Sequence, residues 1–122
     1  MAQEDIGFQA GGPFLITATS TDKSVFKVPT GGVTTPYNAF EPNLIILSNN
    51  NTALSAQVDF YDTDITSAAT LTGTPRFSAN LAAGEHKTYT REELLGIRFY
   101  KEVNVVATNP TVFGHIAGNL IL

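Results

Sequence analysis

Residues 43–62, NLIILSNNNTALSAQVDFYD, decide the fold class. Leu44, Ile45, Ile46 and Leu47 are four successive apolar positions, the mark of a strand covered on both faces. Asn49, Asn50, Asn51 and Thr52 follow as a polar turn, since Asn tolerates tight-turn backbone. Beyond the turn the pattern alternates. Leu54, Ala56, Val58 and Phe60 fall on one side, and Ser55, Gln57, Asp59 and Tyr61 on the other, as in a half-buried strand. The stretch therefore reads as two strands joined in a hairpin.

Working outward, the same grammar recurs. Phe14–Thr19 and Ser24–Val28 are predicted strands before the central stretch. Pro75–Leu81, His86–Tyr89, Ile97–Tyr100, Val103–Thr108 and Thr111–Leu122 are predicted strands after it. Gly, Pro and Asn clusters separate them. Gly32–Pro42 reads as a loop, in which Tyr37 and Phe40 either pin the segment to the body or present aromatic contacts. Residues 63–74 read as a small, polar loop. Thr90-Arg91-Glu92-Glu93 has capping-box spacing, with Tyr89 and Leu94 at staple positions and Gly96 at a left-handed stop. One short helical turn, Arg91–Leu95, is expected there, plugging an end of the packing with Leu94 or Leu95. Thr111–Leu122 stays apolar to Leu122, which predicts a strand paired in the sheet or at a subunit contact. About eight short strands in one domain argue for an antiparallel β-sandwich or jelly roll over residues 14–122. Residues 1–13, ending in Gly11-Gly12-Pro13, are expected to form a flexible arm.

Composition narrows function. The 122 residues suit a single domain that hides roughly two thirds of its unfolded surface. There is no cysteine, hence no disulfide and no thiolate metal site. Seven basic residues against eleven acids, net charge −4, lack the basic footprint of a nucleic-acid binder. No apolar run reaches the ~20 residues that span a bilayer, and the first dozen residues lack the charge and apolar core of a signal peptide. A site within a cytoplasm, or packaging there, is the expectation. Asn50-Asn51-Thr52 matches a glycosylation sequon, but its expected role is a plain turn.

No reaction centre stands out, and neither cofactor nor metal is expected. Asp59, Asp62 and Asp64 offer oxygens of the kind calcium takes, without EF-hand spacing. His86 and His115, the two histidines, lack metal-ligand spacing. His86 is expected to pair with its neighbour Glu85, and His115 to be satisfied or to face a subunit. A hydrolase triad needs a Ser or Thr beside one of them, but no nucleophile elbow, Walker loop or dinucleotide fingerprint is present. A carbohydrate-binding sandwich is the main rival reading. It would use Tyr61 and Tyr100 as stacking planes, although the chain has no Trp.

From Asn43 onward the order of motifs resembles small virion proteins of tailed bacteriophages, among them head decoration or cement proteins and small tail or fibre subunits. The segments are Val58-Asp59-Phe60-Tyr61-Asp62, the Thr, Ser and Gly loop, Leu81-Ala82-Ala83-Gly84-Glu85, Gly96-Ile97, Val103–Thr108 and Thr111–Leu122. They cover about two thirds of the chain, and their order is the specific feature. The resemblance implies a jelly-roll sandwich, a homo-oligomer (often a trimer), attachment to the major capsid protein on the virion surface, and no catalytic residues. A tail or fibre module is the alternative within the same class. Ile6, Phe8, Tyr37 and Phe40 are the expected capsid contacts; Leu120, Ile121 and Leu122 are the expected subunit contacts.

Overall fold

The computed structural model describes residues 9–16, 23–28, 39–62 and 74–121. Among these residues the chain forms eight strands: β1 (Gln9–Leu15), β2 (Lys23–Lys27), β3 (Ala39–Asn49), β4 (Ala56–Asp62), β5 (Phe77–Leu81), β6 (His86–Tyr89), β7 (Glu102–Ala107) and β8 (Val112–Ile121). They build two antiparallel four-stranded sheets, β1-β8-β3-β6 and β2-β7-β4-β5. The first strand pairs with the last, the second with the seventh, the third with the sixth and the fourth with the fifth. This is one long hairpin of strand pairs, rolled so that successive pairs alternate between sheets, the winding of a jelly roll. Two further ladders, β3 to β8 and β4 to β7, close each sheet across the roll.

The rolling corrects the hairpin reading of residues 43–62. β3 and β4 lie in different sheets, and the segment between them arches from one layer to the other. An apolar strand followed by an alternating one is equally compatible with an arch, because periodicity reports burial and not pairing. The arch is held by side-chain amides. Asn49, fully buried, donates to the carbonyls of Leu54 (2.9 Å) and Ala82 (3.1 Å) and accepts from Asn51 N–H (3.1 Å). Asn51 Oδ1 in turn accepts from the N–H groups of Ala53 and Leu54, both at 2.8 Å.

Three other boundaries differ from expectation. Residues 9–13, read as arm, belong to β1 and pair with β8. Gly-Gly-Pro suggested a break, but β1 is an edge strand, where proline's missing N–H costs no ladder bond. Gly11 adopts φ 114°, and a Cβ there would run into the carbonyl of Ile116. Residues 39–42, read as loop, open β3. Pro42 sits at a register shift opposite Gly118, beyond the four residues of β3 that β6 pairs. Residues 97–100 form no strand; Phe99 alone bridges Phe40.

No helix forms at residues 91–96, which make a run of turns instead. Half of the capping box is present, with Thr90 N–H donating to Glu93 Oε1 at 2.8 Å. Glu93 N–H goes to the Thr90 carbonyl rather than its hydroxyl, and a single i to i−4 bond, Leu94 to Thr90, follows. Gly96, at φ 88°, ends the run in the left-handed region as anticipated. Leu94 is the plug; Leu95 faces solvent.

The core lies between the sheets. Phe14 meets Phe60 edge-on at 5.9 Å, Phe60 meets Phe77 at 5.7 Å, and Phe77 meets Tyr89 at 4.9 Å. A second group joins Phe26, Phe40 and Phe99. Within the strands alternation accounts for much of the core: Val103, Val105 and Ala107 of β7 point in, as do Ile45 and Leu47 of β3 and Ile116 and Leu120 of β8, while Ile16, Val28, Leu94 and Phe99 join it from outside the strands.

Candidate interaction surface

The ladders define what the first sheet presents on its other side. Strand register aligns Leu15, Phe113, Ser48 and His86 in one row across the four strands. The next row on that face is Pro13, His115, Ile46 and Thr88. A third is Gly11, Ala117 and Leu44. No Asp, Glu, Lys or Arg occupies any of these positions. Leu15, Ile46 and Phe113 are 52%, 39% and 41% exposed, a concentration of large apolar side chains on one outer face. Among the described residues charge lies at the margins of this face, in the Glu41–Arg98 pair (3.3 Å) and the Glu85–Lys87 pair (3.9 Å). An apolar centre with a polar rim is the anatomy of a contact surface.

The outer face of the second sheet is built differently. Asp59 accepts from Ser78 Oγ at 2.6 Å and from Gln57 Nε2 at 3.1 Å, linking β4 to β5 through hydrated polar groups. Gln57 and Asn80 stand opposite one another beside them. Surface hydrogen bonds of this kind suit a face that stays in water.

The sequence-predicted residues divide accordingly. Ile6, Phe8, Tyr37, Asp64 and Leu122 lie outside the described residues. Phe40 is fully buried between Phe26 and Phe99, so it takes the pinning role of the two considered for it, not the exposed capsid contact. Leu120 is 6% exposed and packs in the core; Ile121 is partly exposed. The apolar C-terminal stretch is paired on both sides, by β1 and by β3.

Asp62 is a structural clamp. Its Oδ1 accepts from the backbone N–H groups of Tyr100 (3.0 Å), Lys101 (2.8 Å) and Glu102 (3.4 Å), and its Oδ2 meets Arg76 at 3.3 Å. Removing the carboxylate strands three donors at a corner where its own side chain is 5% exposed. Asp62→Ala is expected to lower unfolding free energy by about 2 kcal/mol, and Asp62→Asn by about half that, in urea titrations. Arg76 also lies 5.8 Å from the centroid of Tyr100, covering one face of the ring that a sugar would stack on. Tyr61 is half-buried. Among the described residues no three metal-ligating side chains converge.

His86 does not pair with Glu85. Its Nδ1 lies 2.5 Å from Ser48 Oγ, which in turn is 3.2 Å from Asn50 Oδ1. The direction of the His86–Ser48 bond follows the imidazole tautomer: with the proton on Nδ1, His86 donates to Ser48 Oγ, and Ser48 O–H donates to Asn50. Glu85 instead accepts from Ala82 N–H at 2.7 Å. His115 lies on the same outer face, one row from His86.

Sequence reasoning placed neither Leu15 nor Phe113 at a surface, and it left Ile46 inside a doubly covered strand. The signal was nevertheless present. The four-residue apolar run of β3 predicts cover on both faces, and the described residues pack a core against one of them. Compared with protein-family models and with curated proteins, the sequence matches none.

Proposed function

We propose that the chain is a non-enzymatic structural protein of a bacteriophage particle, a decoration or cement protein that assembles with copies of itself and binds the capsid surface. The observation that carries this reading is the uncharged, apolar outer face of the first sheet. A surface of this kind is stable in water when a partner covers it. The order of strand motifs, which resembles small tailed-phage virion proteins, supplies the setting, and the eight-strand jelly roll accords with it. The fold by itself assigns no function. In this role copies clamp neighbouring capsid subunits through apolar and hydrogen-bonded contacts, and several copies engaging together offset the entropy lost on docking.

Peptide mass spectrometry of gradient-purified particles from the source that encodes the chain tests the proposal. The chain is expected in the head fraction, in an amount comparable with the major capsid protein. Its absence from particles would refute the reading. Recovery with tails only would move it to the tail or fibre alternative. A double variant, Ile46→Glu with Phe113→Glu, is expected to fold and, unable to pair with a second copy, to bind heads stripped of the wild-type chain several-fold more weakly than the wild type does.

A further inference from the structure

We propose that the outer face of the first sheet packs against the same face of a second copy, about a two-fold axis lying in the contact along the Pro13–His115–Ile46–Thr88 row. This rests on the self-assembling reading above and names the surface and symmetry that serve it.

Charge is the first argument. A two-fold contact sets one patch against itself, so any fixed charge near the axis meets its own copy. The three rows hold none, and the ion pairs lie outside them. Shape is the second. On β1 and β8 the face is bulky at one end, where Leu15 and Phe113 stand side by side, and small at the other, where Gly11 faces Ala117; on β3 the order is reversed, with Ser48 beside Phe113 and Leu44 beside Ala117. An axis along the middle row reverses one copy's strands over the other's, so Leu15, Phe113 and Leu44 of each lie over Gly11, Ala117 and Ser48 of its partner. Ile46 then lies against Ile46 of the second copy, which completes the double cover that its strand's sequence calls for.

Size sets the strength. Strands about 4.8 Å apart and three rows spaced at two-residue intervals give a flat patch on the order of 400 Å² per copy. That is about half of a standard stable contact, so free copies pair weakly. Copies held on a common shell pair readily, because the second contact is then local.

The axis also sets His115 against His115. Around it on its own sheet stand Pro13, Ile46, Phe113 and Ala117, none of them charged, and His86 one row away is the other titratable group on the face.

The chain has no cysteine, so a single introduced thiol reports its own surroundings. Sheets packed face to face stand about 10 Å apart, too far for a direct disulfide, and a short bismaleimide is the suitable linker. Ile46→Cys in the isolated protein at high micromolar concentration is expected to give a linked dimer. Asn80→Cys, on the polar face of the second sheet, is expected to give little. Adding Phe113→Glu to Ile46→Cys is expected to abolish linking while circular dichroism keeps the β signature. Equal yields from the two thiols, no dimer from Ile46→Cys, or a trimer in which that thiol stays unlinked would overturn the two-fold pairing. These outcomes are independent of whether phage particles contain the chain.

Discussion

Phe60→Ala should lower the unfolding free energy by about 4 kcal/mol and Tm by roughly 15 °C. Phe60 is fully buried near the centre of β4 and is one of the rings that join the two layers. It touches Phe14 of the first sheet edge-on and Phe77 of its own sheet. Truncation removes the apolar transfer term and leaves a cavity that the flanking ladders to β5 and β7 resist closing. Leu54→Ala is the matched control. Leu54 is 61% exposed on the arch, and its truncation should change stability by no more than about 0.5 kcal/mol. Thermal denaturation followed by circular dichroism distinguishes the two; near-equal shifts would mean that Phe60 is not a layer-joining ring.

Gly118→Val should cost about 3 kcal/mol, by crowding rather than by cavity. Gly118 lies opposite Pro42 in the β3–β8 ladder, at the register shift. A Cβ at that position would meet the carbonyl oxygen of Glu41 and come within 2.7 Å of Pro42 Cα. Both obstacles are backbone, so no side chain can swing aside, and the two longest strands of the first sheet must part. Gly12→Val, on the edge strand with open space where its Cβ would go, should be far milder. Urea midpoints for the pair measure the contrast.

Much of the fold was legible because its signals are local. Alternation from Leu54 names Ala56, Val58 and Phe60 correctly as inward, while Leu54, grouped with them, lies 61% exposed on the arch before the strand begins; Gly, Pro and Asn clusters mark most strand ends. Sheet assignment was not legible, because residues 43–62 have the same periodicity whether the chain turns back within one sheet or arches to the other. Pro13 and Pro42 misled for a related reason. Proline forbids a donor only where the ladder demands one, and an edge strand or a bulge makes no such demand. The capping box at Thr90 is real in its residues, yet four residues of favourable spacing do not supply the length that helix nucleation requires. The interaction face was half-legible. The doubly apolar run of β3 pointed to a covering partner, but Leu15, Ile46 and Phe113 become neighbours only through ladders between strands far apart in sequence, Leu15 opposite Phe113 and Ile46 opposite His115.

The account stands on that face being hidden when the protein is at work. Hydroxyl-radical footprinting read by mass spectrometry, comparing dilute free protein with protein assembled on its particle, measures this directly. Oxidation of Phe113, Leu15 and His115 should fall several-fold on assembly while Gln57 and Asn80, at the polar outer face of the second sheet, remain as accessible as before. Unchanged oxidation of Phe113 and Leu15 in the assembled state would contradict it.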